Sequence, residues 1–475
     1  MKPRLSTASL AILTGSAALA GSNPAPKPTA APTTNPLSFA DGILTVDLEA
    51  RARFEARSNN RDFDRHTNDD NDNAWGLTRF RLGLLFKPRP WLKIYAQGKD
   101  TREIDSERPN TPGIRGNEGD DNLDLRQLSL ELADYDAFPL GLTVGRQRLS
   151  YGEQRLVADS RWGNLGRTFD AFKLRAQPSK DQWLELFAAR PVQIKQDVLN
   201  DSDSSDLFLG AYYSTNILSF QTTNLYLLHR DKTDNQPDLD PTNTINPRGT
   251  FNGPAQRITT IGSRWKSNLH NGWDYNAEAA WQTGSLWTTD RSTPALHHQA
   301  FAAHADVGYT WSSAWLSPRL GAGYNFASGD HNPADGKNTG FLNLFASNHG
   351  KYGELDLFSW RNIHNAQIRL GAQFTKTLSG ELSYHADWLA DTADYWTRSN
   401  GISAARTNTP DGRDVRSINA GNFAGQETDL VLKWAPKPHF TLDLGYAHFF
   451  AGTYLKATGP ADDADFAYLQ TSITF

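Results

Sequence analysis

Apolar and polar residues alternate along residues 44–57 almost without a break. Every even-numbered position from Leu44 to Ala56 is apolar, and every odd-numbered position is Thr, Asp, Glu or Arg. Successive side chains of a β-strand point to opposite faces, so this segment predicts a strand with one apolar and one charged face. The same alternation recurs towards the C-terminus, for example at residues 79–87, 273–282, 301–311 and 382–388.

The connections between such segments also follow a pattern. We count about 18 strands, beginning near residues 43, 77, 91, 122, 140, 168, 182, 206, 217, 257, 272, 299, 317, 363, 380, 426, 438 and 465. Connections after even-numbered strands are short, as at residues 87–90, and those after odd-numbered strands are long. Outer-membrane barrels alternate in this way, with periplasmic turns and extracellular loops. The sequence therefore predicts an all-β, transmembrane antiparallel β-barrel over residues 41–475.

A spanning helix and a soluble β fold are the alternatives to a membrane barrel. No run of about 18 apolar residues, the length that a spanning helix needs, follows the N-terminal segment. Only 38% of the residues are hydrophobic, yet the chain has 14 Trp, 15 Tyr and 24 Phe, which suits an aromatic belt at a membrane interface. A soluble exported β-sandwich, jelly roll or propeller is the alternative, but the polar faces of such folds seldom carry long rows of ions.

The N-terminus predicts export from the cytoplasm. Lys2 and Arg4 precede a short apolar stretch that ends in Ala18-Leu19-Ala20, a typical cleavage site. We interpret residues 1–20 as a signal peptide and residues 21–40, which are rich in Pro, Ala and Thr, as a flexible lead-in.

Composition and motifs exclude several functions. The chain has no Cys, so disulfides, Cys–zinc sites and thiol catalysis are excluded, and its net charge of −5 argues against nucleic-acid binding. It contains no G-x-S-x-G motif, and its His residues lack metal-ligand spacing. The acidic loop at residues 68–73 does not have EF-hand spacing and is interpreted as solvated. We therefore expect no enzymatic activity, no cofactor and no metal site.

The polar faces would line the lumen, and they are rich in arginine. Two interpretations stay open: ion-pair ladders that hold the wall together, or a positively biased channel that attracts anions and lets them slide between weak sites. Arginine suits both, because its guanidinium pairs bidentately with carboxylates and keeps its charge at any physiological pH. The inward basic residues in the strands are Arg51, Arg53, Arg57, Arg79, Arg81, Lys93, Lys173, Arg175 and Arg369. Their candidate acidic partners include Asp124 and Glu131.

Three groups of residues resemble the signatures of the alginate export porin family. The first runs from Gly145-Arg146-Gln147-Arg148 through Tyr151-Gly152-Glu153-Gln154-Arg155 to Phe169-Asp170. The second is Ala327-Ser328-Gly329-Asp330, followed by His349, Tyr352-Gly353, Asp356 and Trp360-Arg361-Asn362. The third is Gly425-Gln426-Glu427-Thr428-Asp429, followed by residues 447–455. Together they cover roughly residues 40–475.

This resemblance implies an 18-stranded barrel in the bacterial outer membrane with an Arg-rich pore constricted by loops. It implies that motif arginines line or brace the pathway, namely Arg126, Arg146, Arg148, Arg155, Arg167 and Arg361, beside the inward Arg53, Arg81 and Arg369. Their counter-charges would be Glu153, Asp170, Asp330, Glu427 and Asp429, with Asp124 and Glu131 from the strands.

We therefore expect a channel that passes an anionic, alginate-like polysaccharide or oligosaccharide through an Arg-rich pore. A general porin or nutrient-uptake channel without polyuronate specificity is the first alternative, and an outer-membrane hydrolase or adhesin is the second. The expected partners are the anionic polysaccharide, outer-membrane lipid and, from the family, periplasmic polysaccharide secretion proteins.

Overall fold

The chain is described here as a computed structural model that covers residues 35–67, 72–108, 120–195, 198–233, 254–287, 291, 293–401 and 404–475. The predicted signal peptide (1–20), most of the lead-in, most of the acidic loop at 68–73 and the loop at 234–253 lie outside these residues. Among the described residues, no helix is long and apolar enough to cross a membrane.

Eighteen long strands form one closed antiparallel sheet, which confirms the predicted fold. The strands are β1 Leu44–Ser58, β2 Ala74–Arg89, β3 Leu92–Ile104, β4 Asp121–Ala133, β5 Leu140–Gln147, β6 Phe169–Ser179, β7 Gln182–Gln193, β8 Asp206–Thr215, β9 Gln221–Lys232, β10 Gln256–Ser267, β11 Trp273–Leu286, β12 Leu296–Thr310, β13 Arg319–Ala327, β14 Ile363–Gln373, β15 Leu378–Trp388, β16 Phe423–Lys437, β17 Phe440–Ala451 and β18 Ala464–Thr474. Each begins within four residues of its expected start.

Closure of the sheet leaves no free edge. Each strand pairs with its neighbours in sequence, and β18 returns to β1, with Leu469 opposite Phe54. Each strand can then pair its backbone N–H and C=O groups with a neighbour on both sides, as a chain surrounded by hydrocarbon requires. The remaining elements are short: strands Ser38–Phe39, Asp201–Ser202 and Lys337–Asn338, 3-10 turns Ala40–Gly42 and Val415–Ser417, and one helix, α1 Thr453–Thr458.

The two faces of the wall differ as the alternation predicts. On β2, Phe80 and Leu82 are 45% and 43% exposed and point outward, whereas Arg79 and Arg81, which alternate with them, are 6% and 3% exposed and point inward. An outward apolar face is compatible only with lipid around the barrel. Trp residues cluster near the turns, at Trp91, Trp273, Trp311, Trp315 and Trp434, where a membrane interface places aromatic side chains.

Three long loops fold into the barrel from its extracellular end. We call residues 148–168 the first inner loop, 328–362 the second and 389–422 the third. The first two meet in a short parallel bridge between Val157 and Phe345. Their apolar side chains join those of the inward wall in one buried core, which includes Phe63, Phe208 and Trp396. The hydrophobic core of this protein therefore lies inside the barrel and is built from loops and inward wall positions in about equal parts.

Candidate functional site

Inward arginines on β1 and β2 hold the first inner loop by its backbone. Arg51 Nη1 donates to the carbonyl oxygen of Trp162 at 2.9 Å, and Arg53 Nη1 donates to the same oxygen at 2.8 Å. Arg79, which lies directly opposite Arg51 in the sheet, donates to the carbonyl oxygen of Gly163 at 2.8 Å. Period-two alternation places all three guanidinium groups on one side of the wall. The loop is thereby held against the inner face of the wall, inside the barrel.

Shared carboxylates keep this cluster of cations together. Glu49 pairs with both Arg79 and Arg81, and Glu55 pairs with Arg53 at 2.7 Å and with Arg57 at 3.2 Å. A charge that is removed from water is tolerated when it is paired and hydrogen-bonded. The cluster is therefore both a brace for the wall and an anchor for the loop.

Trp162 joins the first inner loop to the second. The guanidinium carbon of Arg53 lies 3.8 Å from the centroid of the Trp162 ring, and the ring of His349 stacks on Trp162 at 3.5 Å. The His349 ring lies between two carboxylates, 3.1 Å from Glu354 Oε2 and 3.0 Å from Asp356 Oδ2. Burial by itself would lower the pKa of His349, but Asp356 and Glu354 outweigh it and raise the pKa to about 9.

This ion triad predicts a pH dependence of stability. Because the pKa of His349 is raised above its ordinary value of 6.5, the stabilisation is complete below about pH 6.5 and is lost as the pH rises through about 9. We expect the unfolding temperature of wild type, relative to that of His349→Gln, to fall between pH 6.5 and 9. Burial lowers the pKa of the nearby Lys351 to about 7, so this lysine makes stability rise with pH instead of falling. Wild type and His349→Gln both contain Lys351, so the difference between their unfolding temperatures reports on His349. If the difference in unfolding temperature between wild type and His349→Gln did not change with pH, a charged His349 in this triad would be contradicted.

The most exposed arginines in this region flank a buried carboxylate of the first inner loop. Arg148 Nη1 and Arg161 Nε lie 3.1 Å and 3.0 Å from Asp159 Oδ2. The side chains of Arg148 and Arg161 are 38% and 31% exposed, whereas that of Asp159 is fully buried. Burial would raise the pKa of Asp159, but Arg161 and Arg148 outweigh it and lower the pKa. Solvent in the lumen therefore meets positive charge here.

Further accessible cations lie on inward positions nearer the periplasmic turns. Lys173 and Arg175 of β6 share the buried Glu185, and Lys266 of β10 pairs with Glu153 at 3.0 Å. The Arg175 guanidinium also lies 4.5 Å from the centroid of the Trp183 ring. In each group the lysine or arginine is more exposed than the carboxylate beneath it. In these groups the positive charge is thus the more accessible member of each pair.

Most predicted pathway arginines are buried and contact the inner loops. Arg155 donates to the Tyr352 hydroxyl at 3.2 Å, Arg167 to the carbonyl oxygen of Ala346 at 3.2 Å, and Arg369 to that of Gly350 at 3.2 Å. The predicted arginines that are less than 9% exposed are Arg53, Arg81, Arg126, Arg155, Arg167 and Arg369. Arg155, Arg167 and Arg369 thus hold the inner loops in place, and the contact of these arginines with a solute stays a prediction.

Arg146 and Asp170 are placed differently from the others. Arg146 shares the outer face of β5 with Leu142, and it lies opposite Asp170 on β6, which shares the outer face with the exposed Phe172. The pair forms a salt bridge of 2.9 Å at the extracellular end of the wall. Neither side chain points into the lumen.

Four further predicted residues form ion pairs or hydrogen bonds with loop or wall residues. Arg361 lies 3.7 Å from Asp394 of the third inner loop, and Asp330 accepts from the backbone N–H of Thr339 at 3.3 Å. Asp124 accepts from Asn200 at 2.7 Å, and Glu131 accepts from Lys93 Nζ at 2.6 Å.

Of two buried carboxylates on β16, Glu427 supports the second inner loop and Asp429 is bound within the wall. Glu427 accepts from the backbone N–H of Leu355 at 2.8 Å, and Asp429 accepts from the Ser383 hydroxyl at 3.0 Å. Gly353 lies directly against Glu427, because a Cβ there would be 2.3 Å from Glu427 Oε2, and its φ of +110° favours glycine. Gly353 and Glu427, which come from two different motifs, are therefore in direct contact.

Arg161, Asp159 and Lys266 were missed as site residues. Lys266 could have been found, because it shares the inward face of β10 with Arg264. Arg161 and Asp159 lie in a loop without periodicity, so no pattern marks them. Within the described part of the chain, no group of three His, Asp or Glu residues is arranged to hold a metal ion.

Comparison with known proteins agrees with this architecture. Similar solved structures include three from Pseudomonas aeruginosa: OpdK with vanillate (14% identity, TM-score 0.57), OccK1, also named OpdK (13%, 0.58), and OccK5, also named OpdH (11%, 0.57). Each comparison covers 91% of this chain and 98% of the other, and identities this low show the fold alone. No curated protein matches the chain. The family model for alginate export matches residues 43–468, so the chain belongs to the alginate export family of bacterial outer-membrane channels.

Proposed function

We propose that this channel passes an anionic polysaccharide or oligosaccharide of the alginate type. The observation that carries the proposal is the exposure of lumenal cations above buried carboxylates. These cations are Arg148, Arg161, Lys173, Arg175 and Lys266, each of which is more exposed than its carboxylate partner. Charged rings of Lys or Arg favour anions, and low-dielectric walls concentrate the field inside a pore.

The arrangement suits a polymer that moves by steps. Lys173, Arg175 and Lys266 lie towards the periplasmic mouth, and Arg148 and Arg161 lie further in, on the first inner loop. Each cation keeps a carboxylate partner, so a passing anion competes with that partner and is bound weakly. Conduction requires binding that is favourable enough for entry and weak enough for release. We propose a transport role without catalysis, and periplasmic polysaccharide secretion proteins stay predicted partners.

A channel for small carboxylates is the second candidate. One of the similar structures was solved with vanillate, a small carboxylate, and each cation pair here could also serve a single carboxylate. Length dependence separates the two candidates, because a polymer occupies several cation sites at once and a monomer occupies one.

The test is anion selectivity in a planar bilayer. We expect the refolded protein under a KCl gradient to show a reversal potential of the sign given by anions, and oligouronates to block the current at lower concentrations than monouronates do. In Arg148→Ala/Arg161→Ala the reversal potential should move towards zero, and the concentration for half block should rise about tenfold, equivalent to ~1.4 kcal/mol.

The matched control is Arg65→Ala/Arg413→Ala. It removes one arginine of the β1–β2 loop and one of the third inner loop, both 64% exposed, and should leave selectivity and block unchanged. Equal block by monomers and oligomers would favour the small-carboxylate channel. Cation preference would contradict both candidates, and an absence of conductance would favour the hydrolase or adhesin alternative.

A further inference from the structure

A row of charged side chains crosses the outer face of the barrel at the extracellular ends of β5–β10. The register of the sheet places Arg146 of β5 opposite Asp170 of β6, and Asp170 opposite Arg190 of β7. Further along the wall, Asp231 of β9 lies opposite Arg257 of β10. Together with the loop residue Arg291, which pairs with Asp231, we call these residues the outer belt: Arg146, Asp170, Arg190, Asp231, Arg257 and Arg291.

The outer belt has a surplus of positive charge, because four arginines share two aspartates. Asp170 pairs with Arg146 at 2.9 Å, and Asp231 pairs with Arg257 at 3.2 Å and also with Arg291. Arg190 forms no salt bridge with any of the described residues, and its guanidinium donates instead to the backbone carbonyl oxygens of residues 203 and 204. A cation on a face that borders lipid is unfavourable unless an anion compensates its charge.

The surplus is confined to one side of the barrel. In β1, β2 and β11–β18, all of which the structure describes, no Lys or Arg occupies an outward position at the extracellular end. Those positions hold uncharged residues such as Ser285, Gln299, Trp388 and Gln426. General contact with lipid headgroups would favour cations all around the barrel, so their concentration on β5–β10 indicates a local binding site.

An apolar groove lies beside the outer belt on the same face. It has a volume of about 500 Å³ and crosses β6–β9, and its lining includes Ala188, Ala211, Phe172 and Leu227. Ala188 precedes Arg190 by two positions on β7, so both side chains point outward, with Arg190 nearer the extracellular end. The groove therefore runs from the hydrocarbon depth of the wall towards the unpaired cation.

This combination matches an amphiphile with an anionic headgroup better than it matches a second copy of the chain. A symmetric contact between two copies through this face would bring the positive surplus of both outer belts together, which is unfavourable. Phosphate oxygens, in contrast, accept bidentate and charge-assisted hydrogen bonds from guanidinium groups. A lipid that carries phosphate would fill both parts of the surface, the belt with its headgroup and the groove with an acyl chain.

We propose that one lipopolysaccharide molecule of the outer leaflet binds at this surface. A phosphate of its lipid A part contacts Arg190, and one of its acyl chains lies in the groove beside Ala188 and Ala211. The outer belt is at the extracellular ends of the strands, which is the level of the headgroups of that leaflet. The site is on the outside of the barrel, so it does not depend on which solute the channel passes.

The test compares three lipids on the refolded wild-type protein in detergent micelles. Lipid A, lipid A from which both phosphates have been removed, and phosphatidylglycerol are titrated, and bound lipid is counted by native mass spectrometry. We expect one lipid A to be retained per barrel, with an apparent dissociation constant about tenfold or more below that of either other lipid.

The other outcomes of this titration would each overturn the proposal. Equal retention of the lipid without phosphates would show that the groove acts alone. Equal retention of phosphatidylglycerol would show a site for any anionic lipid. A dimer of the barrel that excludes lipid would identify a second copy of the chain as the occupant.

Variants locate the site on the outer face. Arg190→Gln should raise the dissociation constant of lipid A about tenfold and leave that of the lipid without phosphates unchanged. Ala211→Trp fills the groove and should weaken the binding of both. Arg102→Gln is the matched control, because it also removes one arginine from the outer face, where Arg102 of β3 is held by both oxygens of Asp100, and it should bind lipid A as wild type does.

Unchanged binding of lipid A in Arg190→Gln would overturn the assignment of the phosphate to the outer belt. Arg190→Gln leaves no carboxylate without its partner, so we expect this variant to fold. If it does not, the comparison of lipid A with and without phosphates on wild type decides.

Discussion

Replacing Arg51 and Arg79 together with glutamine is expected to raise the single-channel conductance several-fold. These side chains hold the carbonyl oxygens of residues 161–163 and the side chain of Asn164. Glutamine is shorter than arginine, so the carbonyl oxygens of Arg161 and Gly163 should lose their donors. Each buried carbonyl left without a donor costs about 1–3 kcal/mol. The first inner loop should then leave the wall and widen the lumen.

A loop-shortened variant and a charge control make this measurement specific. Replacement of residues 160–165 by a short Gly–Ser linker removes the held segment itself and should give a similar rise in conductance. The control Arg102→Gln/Arg257→Gln also removes two positive charges, but from the outer face, where these side chains are 41% and 57% exposed. Its conductance should equal that of wild type. Unchanged conductance in both loop variants would show that the first inner loop does not form the constriction.

Trp396→Ala is expected to release the third inner loop. The Trp396 ring is 1% exposed, stacks on Phe358 at 4.7 Å and contacts Phe63 and Phe449 at 5.7 Å and 6.3 Å, while its Nε1 donates to the Leu357 carbonyl oxygen at 2.9 Å. Truncation of a buried Trp typically costs about 3–5 kcal/mol. Because this ring joins loops rather than strands, we expect the loss to appear as local opening while the barrel persists.

Limited trypsin digestion of proteoliposomes measures that opening. In wild type, Arg398 and Arg406 are engaged with the backbone of the β1–β2 loop, through the carbonyl oxygens of Arg61 and Asp62. Cleavage after both arginines should therefore accelerate in Trp396→Ala. Trp315→Ala is the matched control, because Trp315 lies in a periplasmic turn and is 87% exposed. Equal cleavage rates in the two variants would contradict a closing role for the aromatic cluster.

The strands could be predicted because period two is a local property. The alternation in residues 44–57 is visible without any partner strand, and β1 spans Leu44–Ser58. Inward positions such as Arg53 and Arg369 follow from the same rule. At strand ends the rule is less secure. Arg146 lies near the end of β5 beside a motif, and its position on the outer face is evident only from its pairing with Asp170.

The functional roles of the arginines required contacts between distant parts of the chain. Arg51 and Arg161, 110 residues apart, meet only because the first inner loop turns into the barrel. The alternation of apolar and polar residues determined, by itself, a closed barrel with a charged, arginine-rich inner face, because lipid accepts only one face of each strand. Only the tertiary structure decided which arginines are buried as loop anchors and which, like Arg148, remain exposed, because the path of a loop without periodicity depends on the acceptors that it finds in the wall.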